Sequence, residues 1–97
     1  MSDKTITLDA YVLDTLMADL VGHDHRPSAY LAYLAIAAAS RKGRVILSHA
    51  ELAERTGLAK RTVQQAVEIL HRRGLIEIIK RGPTEAPEYK ALAPWRR

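Results

Sequence analysis

Ser48-His49-Ala50-Glu51-Leu52-Ala53-Glu54-Arg55-Thr56-Gly57-Leu58-Ala59-Lys60-Arg61-Thr62-Val63-Gln64-Gln65-Ala66-Val67-Glu68-Ile69-Leu70-His71-Arg72-Arg73-Gly74-Leu75 is the stretch whose reading decides the fold. Ser48 and Glu51 have capping-box spacing: the hydroxyl accepts from the Glu51 amide, and the carboxylate accepts from the Ser48 amide. A short helix is therefore predicted after Ser48, with Leu52 and Ala53 on its buried face. Gly57 stands where the chain must bend tightly, because glycine takes a positive φ without steric penalty. Leu58 plugs that turn. A second helix is predicted from about Lys60 to about Arg73, stopping at Gly74. Two helices joined by a tight glycine-containing turn form a helix-turn-helix.

The flanks complete a pattern. Val45-Ile46-Leu47 reads as a short strand, and Leu75 to Lys80 as a second. Residues 81–87 read as a hairpin tip, punctuated by Gly82, Pro83 and Pro87. Glu88 to Leu92 is the third strand. Upstream, a first helix is predicted over Leu8 to Val21, capped by Thr7 and ended by Gly22. Leu13, Leu16, Met17 and Leu20 follow helical spacing on it, and Val12 and Val21 widen the stripe. Asp9, Asp14 and Asp19 are placed on its wet side. Residues 28–40 carry no charge. A helix from Pro27 or Ser28 to just before Gly43 is thus apolar nearly all round, which predicts a buried central helix.

Ser48, Glu51, Leu52, Ala53, Thr56-Gly57-Leu58, Thr62-Val63, Val67, Leu70 and Gly74-Leu75-Ile76 together resemble the winged helix-turn-helix domains of bacterial GntR- and MarR-type regulators. They also resemble the winged helices of plasmid and phage replication initiators. The likeness covers Arg44 to Leu92. It implies a mainly α fold with a small β-wing, in the order α-α-β-α-α-β-β, and a role in binding DNA. One position departs from the pattern. Ala59 stands where such domains usually cap the second helix with Ser, Thr or Asn, which costs about 1 kcal/mol of helix stability.

A chain of 97 residues reads as one domain over 1–97, with 1–6 and 94–97 as loose tails. The absence of cysteine excludes disulfide support and thiolate metal sites, and fits a reducing, cytoplasmic setting. No signal-like N-terminus and no membrane-length apolar run is present, so no membrane partner is expected. Residues 1–40 sum to −3 and residues 41–97 to +7. A basic half that contains the helix-turn-helix reads as a footprint for phosphates; the plain alternative is a solvated basic surface.

The second motif helix carries the chemistry. Val63, Ala66, Val67 and Leu70 share one face at 3.6-residue periodicity. Arg61, Gln65, Glu68 and Arg72 fall opposite it, with Lys60 and Gln64 on one flank and Thr62 and Ile69 on the other. Arg matches guanine and Gln matches adenine in the major groove, and recognition helices use their N-terminal end for bases. Lys60, Arg61, Thr62, Gln64, Gln65 and Arg72 are therefore the expected contacts of a recognition helix at about 60–73. Glu68 is unfavourable near phosphates unless it accepts from cytosine or orients Arg61 or Arg72. Lys80 and Arg81, in a wing at about 80–88, either touch the DNA backbone or minor groove, or only keep a sheet edge soluble. Arg44, with Arg41 and Lys42, either meets a phosphate or caps a helix. Trp95 either docks its indole or belongs to a free tail.

Enzyme readings are poor. His23, Asp24 and His25 resemble metal ligands only in type, His49 and His71 complete no site, and no catalytic motif is present. No catalytic residue, metal or cofactor is expected. The reading is a sequence-specific regulator of transcription on double-stranded DNA. A homodimer through Val12, Leu13, Leu16, Met17 and Leu20 is expected, because one recognition helix reads few base pairs. The alternatives are a replication-initiation or partition protein of a plasmid or phage, and a winged helix used for protein interaction.

Overall fold

The computed structural model describes residues 4–96. The capping box forms as the spacing requires: Ser48 Oγ accepts from the Glu51 amide at 3.0 Å, and Glu51 Oε1 accepts from the Ser48 amide at 3.0 Å. These bonds to Ser48 hold the Glu51 carboxyl below its usual pKa. The helix they start spans His49–Thr56 and ends on Gly57 at φ 79°. The Thr56 hydroxyl donates to the Leu52 carbonyl at 2.7 Å and accepts from the Leu58 amide at 3.2 Å, which closes the turn. The next helix runs Lys60–Arg72, with Ala59 at its N-cap and no side-chain cap bond, as expected. Gly74 takes φ 70° directly after it.

In chain order, α1 is Pro27–Ala39, β1 is Val45–Ile46, α2 is His49–Thr56, α3 is Lys60–Arg72, β2 is Ile76–Ile79 and β3 is Glu88–Ala91. The strands form one antiparallel sheet in the order β1-β3-β2. Val45 pairs with Tyr89, Ile78 pairs with Tyr89 from the other side, and Glu77 stands opposite Lys90. The result is mainly helical with a small β-wing, a winged helix-turn-helix. β1 is one residue shorter than Val45-Ile46-Leu47; Leu47 follows it, buried at 1 % exposure, with its amide donating to the Pro87 carbonyl at 3.2 Å.

α1 is the hub. It packs against α2, α3, β3 and the N-terminal helical segment. Ala29, Tyr30, Ala32, Tyr33 and Ile36 are buried on it. Leu31 stays exposed, so the helix is not buried all round. Polar groups stitch it to the C-terminal strand. The Tyr33 hydroxyl donates to the Leu92 carbonyl at 2.9 Å, and Ser40 Oγ donates to the Ile36 carbonyl while accepting from the Ala91 amide at 3.1 Å.

The N-terminal segment departs from the sequence reading. It is π-wound over Val12–Leu16 and Ala18–His23, with amides reaching five residues back. No side chain caps it, it runs through Gly22, and the chain reverses only after His25 at φ 55°. The wider turn aligns residues four apart. Val12, Leu16 and Leu20 therefore form the buried row, at 2 %, 2 % and 0 % exposure. The expected dimer surface through Val12, Leu13, Leu16, Met17 and Leu20 is corrected accordingly: Val12, Leu16 and Leu20 are core residues of the monomer. Leu13, Met17 and Val21 form the neighbouring row, which stays exposed. Tyr30 pins the buried row by donating to the Val12 carbonyl at 2.9 Å.

The C-terminal end is also held. The Trp95 indole stacks on Tyr11 and donates to Asp9 at 2.8 Å, while Arg96 donates to the same carboxylate at 2.6 and 2.5 Å. A loose end is thus ruled out for Trp95 and Arg96, because ring stacking and a charged pair anchor them. The expected loose positions 1–3 and 97 lie outside the described residues.

Candidate nucleic-acid interface

α3 buries Val63, Ala66, Val67 and Leu70 against the core. Burying that face forces the opposite one outward, and Arg61, Gln64, Gln65, Glu68 and Arg72 are exposed on it, with Lys60 beside them and Thr62 half-buried on the flank. The helix runs about 18 Å from Lys60 to Arg72 at 1.5 Å per residue. Its N-terminal end carries two adjacent cations and no capping side chain, so the unpaired amides of the first turn add positive potential there.

Three shallow hollows surround this face. One of about 470 Å³ is lined by Lys60, Arg61, Gln64, Gln65 and Glu68. One of about 570 Å³ is lined by Glu68, His71, Arg72, Ile78 and Lys80. The third, of about 350 Å³, lies between α3 and the wing and includes His49, Gln64, Val67, Lys80 and Gly82. Together they bring Lys60, Arg61, Gln64, Gln65, Arg72 and Lys80 onto one surface. Arg81 follows at the exposed wing tip.

Several arginines away from this face are engaged within the fold. Arg44 donates through Nε to Glu77 at 2.8 Å, across the sheet. Arg73 pairs with both Asp19 and Asp24 and ties the end of α3 to the N-terminal segment. Arg96 pairs with Asp9, and Arg41 donates to the Ala38 carbonyl at 2.6 Å at the end of α1. Each of the carboxylate-paired arginines, Arg44, Arg73 and Arg96, is held further above its usual pKa by its partner. By contrast, no described residue forms an ion pair or side-chain hydrogen bond with Lys60, Arg61, Arg72, Lys80 or Arg81. The Gln64 and Gln65 amides are equally unengaged among the described residues. Five cations without a described partner thus lie on α3 and the wing; Arg26, Arg55 and Lys90 are likewise unpaired among the described residues but lie elsewhere, before α1, on α2 and on β3.

Arg44 does not join this surface; its guanidinium is committed to Glu77. His49 and Glu85 do join it through the hollow beside the wing, and sequence reasoning missed both as neighbours of the site. The one signal for His49 was its place just after the cap of α2. Asp19, His23 and Asp24 lie close enough together to suggest a cation site. Arg73 already supplies their positive partner, and a hydrogen bond from His23 holds the Asp24 carboxyl below its usual pKa.

No curated protein and no solved structure gives a match to the chain. The Crp-like helix-turn-helix domain matches residues 25–95, from the turn before α1 through the docked tryptophan. The finer likeness to GntR and MarR types is no part of that match. With the match spanning most of the chain, and with helix, turn, helix and wing in place, the chain belongs to the Crp-like helix-turn-helix domains, a DNA-binding family.

Proposed function

We propose that the chain is a sequence-specific regulator of transcription, acting on double-stranded DNA with α3 in the major groove. The observation that carries this reading is the convergence of unpaired cations and free glutamine amides on the outer face of α3 and the wing. Arginines and lysines on the outer face of α3 and on the wing have free donors, while Arg44, Arg73 and Arg96 are tied to carboxylates. Arg61 suits the O6 and N7 acceptors of guanine, and Gln64 and Gln65 suit the N6 and N7 edge of adenine. Lys60, Thr62 and Arg72 flank them as phosphate contacts, and Lys80 and Arg81 lay the wing along the backbone or minor groove. Arg44 would have to leave Glu77 to contribute, so it is a secondary phosphate contact. The role needs no catalysis and no cofactor, and it places the protein in the cytoplasm with the DNA.

The working unit is a homodimer. One recognition helix reads too few base pairs for a specific site, and two-fold pairing one helical turn apart is the usual remedy. The exposed row Leu13, Met17 and Val21, at 54 %, 39 % and 36 %, supports a second copy as its cover. This row lies on the segment that Arg73 clamps to the C-terminal end of α3, away from Lys60 and Arg61.

Titration of a labelled duplex at rising salt tests the DNA reading. Affinity should fall steeply, with a log–log slope set by the number of phosphates met. A flat salt response would refute it. Sedimentation at micromolar concentration tests the dimer. Met17→Glu should shift it toward monomer with helical content retained, and a wild-type monomer that binds one per half-site would exclude it.

A further inference from the structure

We infer that Glu68 is a specificity-determining residue: its carboxylate accepts from the exocyclic amino group of a cytosine and excludes other bases at that position. This rests on the reading of α3 as the major-groove helix. Glu68 borders all three hollows around the exposed face, so it stands at the centre of the surface rather than at its rim. It follows Gln65 by three positions and precedes Arg72 by four, and Arg61 lies two turns before it, which puts all four in one row.

A carboxylate in the middle of a cationic surface is unfavourable for binding a polyanion unless it has its own task there. Pairing within the protein is one such task, and it does not occur among the described residues. Arg72 lies at i+4, the order in which a glutamate and a cation pair well on a helix. Lys80 shares two hollows with Glu68. Yet no described residue holds Glu68 in an ion pair or side-chain hydrogen bond. Glu68 therefore orients neither Arg61 nor Arg72, and its acceptor atoms are unused on an exposed face.

An ionised carboxylate only accepts. In the major groove guanine shows two acceptors, thymine shows an acceptor and a methyl group, and adenine sets an acceptor beside its donor. Cytosine alone offers an amino donor with no acceptor of its own beside it. Glu68 thus selects by attraction to one base and repulsion from the others, while its charge holds down binding to phosphate that lacks this base.

Selection from randomised duplexes tests this with the wild-type chain, Glu68→Gln and Glu68→Ala. The wild type should require a C·G pair at one position, with roughly ten- to hundred-fold preference. Glu68→Gln, which can donate as well as accept, should shift that position toward adenine, and Glu68→Ala should lose the preference. Both should bind non-specific DNA several-fold more tightly at low salt. An unchanged motif in both variants would overturn the inference and leave the DNA reading standing. So would a uniform loss of affinity with preference intact, since that is a structural effect. Absence of any duplex binding by the wild type would remove the underlying reading and this inference together.

Discussion

Trp95 lies on Tyr11 with ring centroids 4.5 Å apart and planes 16° from parallel, so the C-terminal tail closes over the start of the N-terminal segment. The same indole meets Tyr33 of α1 at a tilt, with centroids 6.3 Å apart. Trp95→Ala should cost about 2 kcal/mol, between a lone aromatic pair and a full core truncation. Urea unfolding measures it. DNA affinity of the folded variant should not change, because Trp95 borders none of the hollows around α3.

Asp9 gives this clamp a pH dependence. Hydrogen bonds from Arg96 and then Trp95 hold its carboxyl at about 2, below the usual 3.8. A depressed folded-state pKa means the contribution is present above pH 3.8 and lost as pH falls toward 2. Tyr33 works in the opposite sense. Burial, then the Asp9 charge, pushes its hydroxyl up to about 12 from 10.0. Its contribution is therefore present below pH 10 and lost as pH rises toward 12. Unfolding free energy followed against pH should show Asp9→Asn flattening the acid limb and Tyr33→Phe the alkaline one.

The two caps of the motif predict stability changes of opposite sign. Ser48→Ala removes the acceptor for the Glu51 amide and should cost about 1 kcal/mol. Ala59→Ser supplies an acceptor where α3 has none and should gain about 0.5–1 kcal/mol, since Ala59 already has extended N-cap geometry. Thermal melts of both variants check the pair.

What the sequence makes legible here is local. The capping box, the left-handed Gly57 and the buried face of α3 each depend on residues within one or two turns, so spacing alone exposes them. The π-wound segment does not, because its winding accompanies a tertiary bond from Tyr30 to the Val12 carbonyl, eighteen residues away. Trp95 and Asp9 are 86 positions apart, and Arg44 meets Glu77 across a sheet whose register no local pattern sets. The donor-bearing face of α3 could be named from periodicity. That its donors are free, while Arg44 and Arg73 are engaged, is a property of the assembled fold.

The wing should add affinity more than specificity. Lys80 and Arg81 lead into Gly82 at its tip, and neither has a described partner. Replacing both by alanine should weaken specific and non-specific binding alike. The salt slope should fall by about one unit for each phosphate that the wing no longer neutralises. An unaltered slope would mean that the wing points away from DNA.

Binding of wild type and Arg61→Ala to a selected site and to each of its single-base variants tests most directly whether α3 reads bases. Arg61→Ala should cost about 1–3 kcal/mol on the selected site and lose discrimination at one base pair, with the other positions unchanged. Equal discrimination at every position by both proteins would contradict the assignment of α3 as the reading helix.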